Sequence, residues 1–178
     1  MKIMRLYLFL LILIGFLTSC TQNSGKGGFN NSSEKKIRRQ VTSIAEDYAN
    51  NQLKDAKKTV TKDGIIVFSS GNMKCLIDPS YILIGNNDED TNKDAIVSLF
   101  TFQNQTLTLK EHLILINKGG KLVISKVLEG DMKFLSIKDM VLYIEISTIA
   151  SDSPNFGCNL CKEVIKYQFI GGDTVRIK

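Results

Sequence analysis

The chain contains one histidine, His112, in 178 residues. That scarcity excludes much chemistry. A Ser-His-Asp or Cys-His constellation would have to run through this one imidazole. No Gly-x-Ser-x-Gly nucleophile turn accompanies it. His112 sits within Lys110-Glu111-His112-Leu113-Ile114-Leu115, so it reads as a strand-surface or satisfied core histidine. Zinc asks for four ligands, and apart from Cys20 the chain offers Cys75, His112, Cys158 and Cys161, with no second close cysteine pair. A phosphate-cradling loop is missing too. Gly119-Gly120 and Gly171-Gly172 lack the lysine and following helix of such loops, and they read as hairpin turns. Carboxylates are plentiful, but no spacing makes two of them face each other for glycosidase work. Nucleic-acid binding asks for a basic, aromatic-rich face, and none is visible on the body of the chain. A non-enzymatic protein that binds no nucleic acid is the expectation.

Beyond residue 20 no apolar run approaches membrane-spanning length, so the first twenty residues stand apart. Lys2 and Arg5 precede an apolar run, Leu6 to Leu17, broken only by Gly15. A positive flank, a short apolar core and small residues before a cleavage site make a secretory signal. The core is shorter than the roughly 20 residues a bilayer requires. The signal ends in Leu17-Thr18-Ser19-Cys20, which resembles the lipobox of bacterial lipoproteins. The resemblance implies cleavage after residue 19, acylation of the Cys20 sulfur (palmitate among the acyl chains) and Cys20 as the new N-terminus. It places the domain in the cell envelope, lipid-anchored and facing away from the cytoplasm. Thr21, standing where proteobacterial inner-membrane lipoproteins carry aspartate, favours the outer membrane in a Gram-negative cell.

Charge is placed unevenly along the processed chain. Without residues 1–19 it carries 21 basic and 18 acidic residues, a net of +3. Residues 21–62 hold nine Lys/Arg against four Asp/Glu, while residues 63–178 hold twelve against fourteen. The basic balance therefore belongs to the segment beside the anchor. There each lysine held at an anionic headgroup surface contributes about 1 kcal/mol.

Residues 20–33 are rich in Asn, Ser and Gly and cannot bury enough surface to fold, so they read as an acylated flexible tether. Ser33 is placed to cap a helix, with Glu34 in its first turn. Ile37, Val41, Ile44, Tyr48 and Leu53 recur at helical spacing, which predicts an amphipathic helix over 34–58. Arg38, Arg39, Glu46 and Asp47 are expected to face solvent. From residue 59 to 178 the pattern is that of strands. Thr106-Leu107-Thr108-Leu109 and Leu142 to Ile146 alternate with period two, and Asp63-Gly64, Asp78-Pro79-Ser80 and Gly119-Gly120 mark turns. The economical fold is α+β and mostly β: one N-terminal amphipathic helix packed on an antiparallel meander sheet, together forming one globular domain. A barrel, a sandwich and a propeller-like fragment are the alternatives.

Two stretches carry candidate chemistry. Asn86, Asp88, Asp90, Asn92 and Asp94 alternate along one loop that runs into Ala95-Ile96-Val97. Calcium takes six to eight oxygens, and alternate positions of a tight loop can point inward together. The loop resembles the calcium loops of integrin-type FG-GAP repeats, and Asn86, Asp88, Asp90 and Asp94 match their ligand positions. Thr91 stands where those loops carry glycine, and Asn86 replaces their leading aspartate. The resemblance implies calcium as the one cofactor the chain would take, within propeller-like or related β architecture. None is otherwise required.

Cys158-Asn159-Leu160-Cys161 is the second stretch. Outside the cytoplasm disulfides persist, so a structural Cys158–Cys161 disulfide is expected, with Cys75 buried in its strand. The rival pairing joins Cys75 to one of the two. The rival function is an extracytoplasmic thiol-redox protein using Cys158 and Cys161. The leading functional expectation is a binding or structural envelope module. Its partners would be the membrane, reached through the lipid, and an envelope protein or ligand.

Overall fold

Apolar side chains run almost without interruption through Ala95-Ile96-Val97 and Leu113-Ile114-Leu115. Strands of that kind must be covered on both faces. The fold of the computed structural model, which describes residues 32–88, 90–148, 161–170 and 173–177, meets this demand with three layers. Helix α1 (Ser32–Gln52) covers one face of the first sheet. That sheet contains β1 (Lys57–Val60), β2 (Ile66–Ser70), β3 (Met73–Ile77), β4 (Leu83–Gly85), β5 (Asp94–Gln103), β6 (Thr106–Lys118) and β7 (Lys121–Glu129). The second sheet contains β8 (Met132–Lys138), β9 (Val141–Ser147), β10 (Lys162–Ile170) and β11 (Asp173–Ile177).

All pairings are antiparallel. The first sheet runs β1-β2-β3-β5-β6-β7, with β4 also paired to β5, and the second runs β11-β10-β9-β8. The protein is therefore α+β and mostly β, with its helix on an antiparallel sheet as expected and no closed barrel among the described residues. The meander is divided between two sheets. On the helix side Val41, Ala45 and Ala49 pack with Ala95, Val97, Leu99, Leu113 and Leu115. On the other face Ile96 and Ile114 pack with Leu142, Ile144 and Ile165 of the second sheet. Besides the three alanines these are ten larger side chains, each at most 5 % exposed. Burying such aliphatic side chains contributes roughly 1.5–3 kcal/mol each.

The helix stops six residues before residue 58. Asp55 adopts a left-handed backbone with φ of 57°, and Lys57 and Lys58 already belong to β1. An aspartate serves where glycine usually ends a helix, because its short polar side chain tolerates that region. Arg38 also departs from a purely solvent-facing role. Its guanidinium pairs with Glu34 and donates to the Ile82 carbonyl at 3.2 Å, tying the helix to the short 3-10 turn Pro79–Tyr81 and the residue after it. Tyr48 adds a polar tie to the apolar stripe: its hydroxyl donates to buried Glu111 of β6 at 2.7 Å.

The two sheets touch most closely where β4 meets β8. A Cβ placed on Gly85 would lie 2.5 Å from Ile137 Cβ and 3.2 Å from the Ile137 carbonyl oxygen. Only a residue without a side chain fits between these backbones. Gly85→Ala is expected to cost about 2 kcal/mol by overpacking. The check is a urea midpoint that falls while the slope of the unfolding transition stays unchanged.

Candidate functional site

Where the inner faces of β5 and β6 look toward β8, β9 and the start of β10, a cavity of about 440 Å³ lies between the sheets. A cavity of this size lies within the range of small-molecule sites. Strand alternation supplies its floor: Phe100 and Ser98 point to the same face of β5, and Phe134 and Met132 to the inner face of β8. Ile146 of β9 lies opposite Met132, and Tyr81 approaches Phe100 edge-on with ring centroids 6.4 Å apart.

Beneath the floor lies a polar pair. His112 of β6 stands directly across from Ser98 and is fully buried. Its Nε2 is 3.2 Å from the Gly130 carbonyl, and its Nδ1 is 2.7 Å from Ser98 Oγ. A carbonyl only accepts, so Nε2 carries the ring proton and Nδ1 accepts the Ser98 hydroxyl proton. Phe134 seals the ring, edge to face, with centroids 4.7 Å apart. Burial depresses the imidazole pKa to about 4. The ring is therefore neutral at physiological pH, which leaves Nδ1 as an acceptor for the Ser98 hydroxyl. Ser98 donates its only proton to His112 and offers the cavity nothing but lone pairs.

The rim is charged. Lys110 pairs with Asp131 at 2.9 Å, and its ammonium lies 5.4 Å from the centre of the Phe100 ring. Lys162 pairs with Glu145 at 2.9 Å, and Lys133 lies across the strand pair from the same Glu145. The two lysines hold the Glu145 carboxyl below its ordinary value, chiefly through the hydrogen bond from Lys162. Among the described residues, the cavity lining thus holds three lysines and two carboxylates beside its apolar floor.

No family model, curated protein or solved structure matches this chain. The site is argued from its own geometry.

The acidic loop is braced by its own side chains. Asp88 N donates to Asn86 Oδ1, Asp90 N to Asp88 Oδ1 and Asn92 N to Asp90 Oδ1, a ladder of turns in which each side chain holds the backbone two residues on. The Asn86 amide also donates to the Asp90 carbonyl. The bonds from Asn92 hold the exposed Asp90 carboxyl below its ordinary pKa. Asp94 points inward and is fully buried, accepting from Asn87 N at 2.7 Å and from Asn117 N at 2.8 Å. Burial pushes its carboxyl pKa up, while those two amides pull it down. Among the described residues no three His, Cys, Asp or Glu side chains group as metal ligands.

Cys75 is a free thiol, buried in β3, and burial raises its pKa. The rival pairing of Cys75 with Cys158 or Cys161 is therefore not formed. Cys161 directly precedes β10, its carbonyl accepting from Thr148 N at 2.9 Å. Cys20 and Cys158 lie outside the described residues. Among the described residues, the cleft brings together none of the cysteine or calcium candidates. It is built from Ser98, Phe100, Lys110, Met132 and Phe134, which no motif marks.

Proposed function

We propose that this chain is a lipid-anchored bacterial envelope lipoprotein whose β-rich domain is a non-enzymatic binding module. The inter-sheet cleft is its binding site. One observation carries the binding role: an apolar floor ringed by charged side chains, a pattern suited to holding a partially apolar ligand. The lipobox-like Leu17-Thr18-Ser19-Cys20 supports the anchor. Tethering concentrates the module at the membrane, so a modest affinity suffices for occupancy there. The Cys158–Cys161 pair is proposed as a structural disulfide.

The anchor is tested by labelling cells that express the chain with radioactive palmitate. The wild type is expected to carry the label and to sediment with membranes. Cys20→Ala is expected to lose the label altogether and to accumulate with its signal uncleaved. A labelled Cys20→Ala protein would overturn the anchor at that residue.

A further inference from the structure

We infer that the outward face of α1 docks on an anionic bilayer and holds the domain with its helix toward the lipid. This rests on the reading of the chain as lipid-anchored, and it adds a second membrane contact that fixes orientation. Lys35, Lys36 and Arg39 are exposed, and spacings of three and four residues bring them to one side of the helix. That side lies opposite the stripe of buried Val41, Ala45 and Ala49. Among the described residues none of these three cations has an ion-pair partner. Neighbouring carboxylates are matched elsewhere: Glu34 by Arg38 at 2.9 Å, and Glu46 by Lys58 at 2.6 Å. Asp78 belongs to the 3-10 turn that Arg38 grips, at the flank of the helix rather than on its outward face. Asp47 lies eight residues beyond Arg39, about 12 Å along the axis and past the Debye length of about 8 Å. Residues 20–31, outside the described part, contribute Lys26 and no carboxylate.

The placement of these cations works against the helix on its own. A helix favours acidic side chains in its first turns and basic ones in its last. Helix α1 instead carries Lys35, Lys36, Arg38 and Arg39 near its start and no basic residue in its last turn. Lys35 and Arg39, four residues apart, also repel each other. An anionic surface laid against this face offsets both costs. The bilayer is the polyanion against which the anchor holds the chain. Cys20 and Ser32 are twelve residues apart, so at most about 40 Å of chain separates anchor from helix. At that range anchoring supplies the effective concentration, and headgroup contacts of about fivefold each suffice for docking. The order of the three layers then sets the second sheet on the side away from the lipid.

The test reconstitutes the full chain, purified from the membranes of cells that express it, into lipid nanodiscs. Acylated Cys20 holds it there, or the retained run Leu6 to Leu17 where acylation fails. One set of discs is phosphatidylcholine alone, and the other mixes in phosphatidylglycerol. A gadolinium-chelating lipid headgroup speeds the relaxation of amides close to the bilayer. In the phosphatidylglycerol discs the amides of Lys35, Lys36 and Arg39 are expected to relax several times faster than those of Val164 and Lys166 in β10. That contrast is expected to collapse in phosphatidylcholine, and also at 1 M salt, where the Debye length is about 3 Å. Combining Lys35→Glu, Lys36→Glu and Arg39→Glu is expected to lower the docked-to-undocked ratio by about 100-fold, three contacts at about fivefold each. Combining Lys133→Glu, Lys138→Glu and Lys166→Glu makes the same charge change at exposed sites of the second sheet, and it is expected to leave the contrast intact. Glutamates near the start of a helix suit its dipole, so the α1 variant is expected to keep its urea midpoint. The lipid and salt comparisons need no variant at all.

The inference is overturned by any of three results. One is a relaxation pattern that is the same in both lipids, which leaves the basic face to an acidic protein or another polyanion. Another is faster relaxation of Val164 and Lys166 than of the α1 amides. The third is a contrast lost as fully in the second-sheet variant as in the α1 variant, which makes net charge and not this face the cause. Palmitate labelling and membrane sedimentation read the anchor and not the face, so failure here is distinguishable from failure of the anchored-lipoprotein reading.

Discussion

Asp94→Ala is expected to lower the unfolding free energy by about 4 kcal/mol, because it leaves two buried amide hydrogens without an acceptor at about 1–3 kcal/mol each. Asp94 opens β5 and is fully buried. One carboxylate oxygen takes the amide of Asn87, just past β4, and the other takes the amide of Asn117 near the end of β6. Asn117 is itself a hub: its side-chain amide donates to the Lys93 carbonyl, and its side-chain oxygen accepts from Gly120 N. One carboxylate thus ties the ends of three strands and the β6–β7 turn. Asp94→Asn keeps one acceptor but sets an amide nitrogen against a second donor, so it recovers only part of the loss. Asp90→Ala, on the exposed part of the loop, is expected to change stability by no more than about 0.5 kcal/mol. Urea unfolding with calcium and again with chelator separates clamp from calcium ligand. A clamp costs the same in both conditions. A calcium ligand costs more when calcium is present, because an ion held only by the folded state adds stability to the wild type alone.

Asp94 also illustrates how far the sequence carries. The alternation of Asn86, Asp88, Asp90, Asn92 and Asp94 is real, but the same spacing serves a ladder of side-chain-to-backbone turns. In those turns one oxygen each of Asn86, Asp88 and Asp90 accepts a backbone amide two residues on. Residue type identifies an oxygen; only the fold says what it accepts from. Strands were legible because half-buried segments alternate with period two and end at turn residues. Leu142 to Ile146, read from that alternation, lies wholly within β9. The division into two sheets was not legible, since a Glu-Gly-Asp turn after β7 looks the same whether the next strand pairs back or crosses to a second layer. The end of the helix was hidden for a similar reason. Asp55 takes the left-handed conformation without the glycine that would announce it.

The Ser98–His112 pair was beyond reach for a geometric reason. The β5–β6 hairpin turns at Asn104-Gln105, whose φ angles of 50° and 68° set a two-residue turn. Counting back from that turn without interruption would put Glu111, not His112, opposite Ser98. The register shift between Thr101 and Phe102 moves the pairing by one residue. It delivers the imidazole to the serine hydroxyl on the face toward the second sheet. A bulge has no reliable sequence mark, yet a one-residue change of register decides which side chains meet. The cleft inherits the same difficulty: its lining comes from both sheets, and no stretch of sequence contains it.

Acidification is expected to remove about 3 kcal/mol of stability through His112 alone. The folded imidazole has a pKa of about 4, against about 6.5 in an unfolded chain. Above pH 6.5 the ring is neutral in both states and the fold keeps its full stability. As the pH falls below that value the unfolded chain binds a proton that the folded chain refuses, and the equilibrium moves toward unfolding. The loss accumulates down to about pH 4, where the folded ring also protonates, and then levels off. The refusal has a structural cause. Protonation would place a charge among buried residues and turn Nδ1 into a donor facing the Ser98 hydroxyl. Lys110 nearby opposes that charge, and the Gly130 carbonyl and Asp131 compensate only in part. Asp94 works in the opposite direction, since burial raises its carboxyl pKa, so it offsets some of the loss at the acid end of the window. His112→Gln removes the titrating group. Its urea-derived stability is expected to fall far less than that of the wild type between pH 7 and pH 4, whatever its starting value. Because the chain has a single histidine, its ring proton signal needs no assignment and its titration is read directly. A midpoint near 6.5 in the folded protein would defeat the argument, and a midpoint near 4 would tie the acid sensitivity of the whole fold to one buried ring.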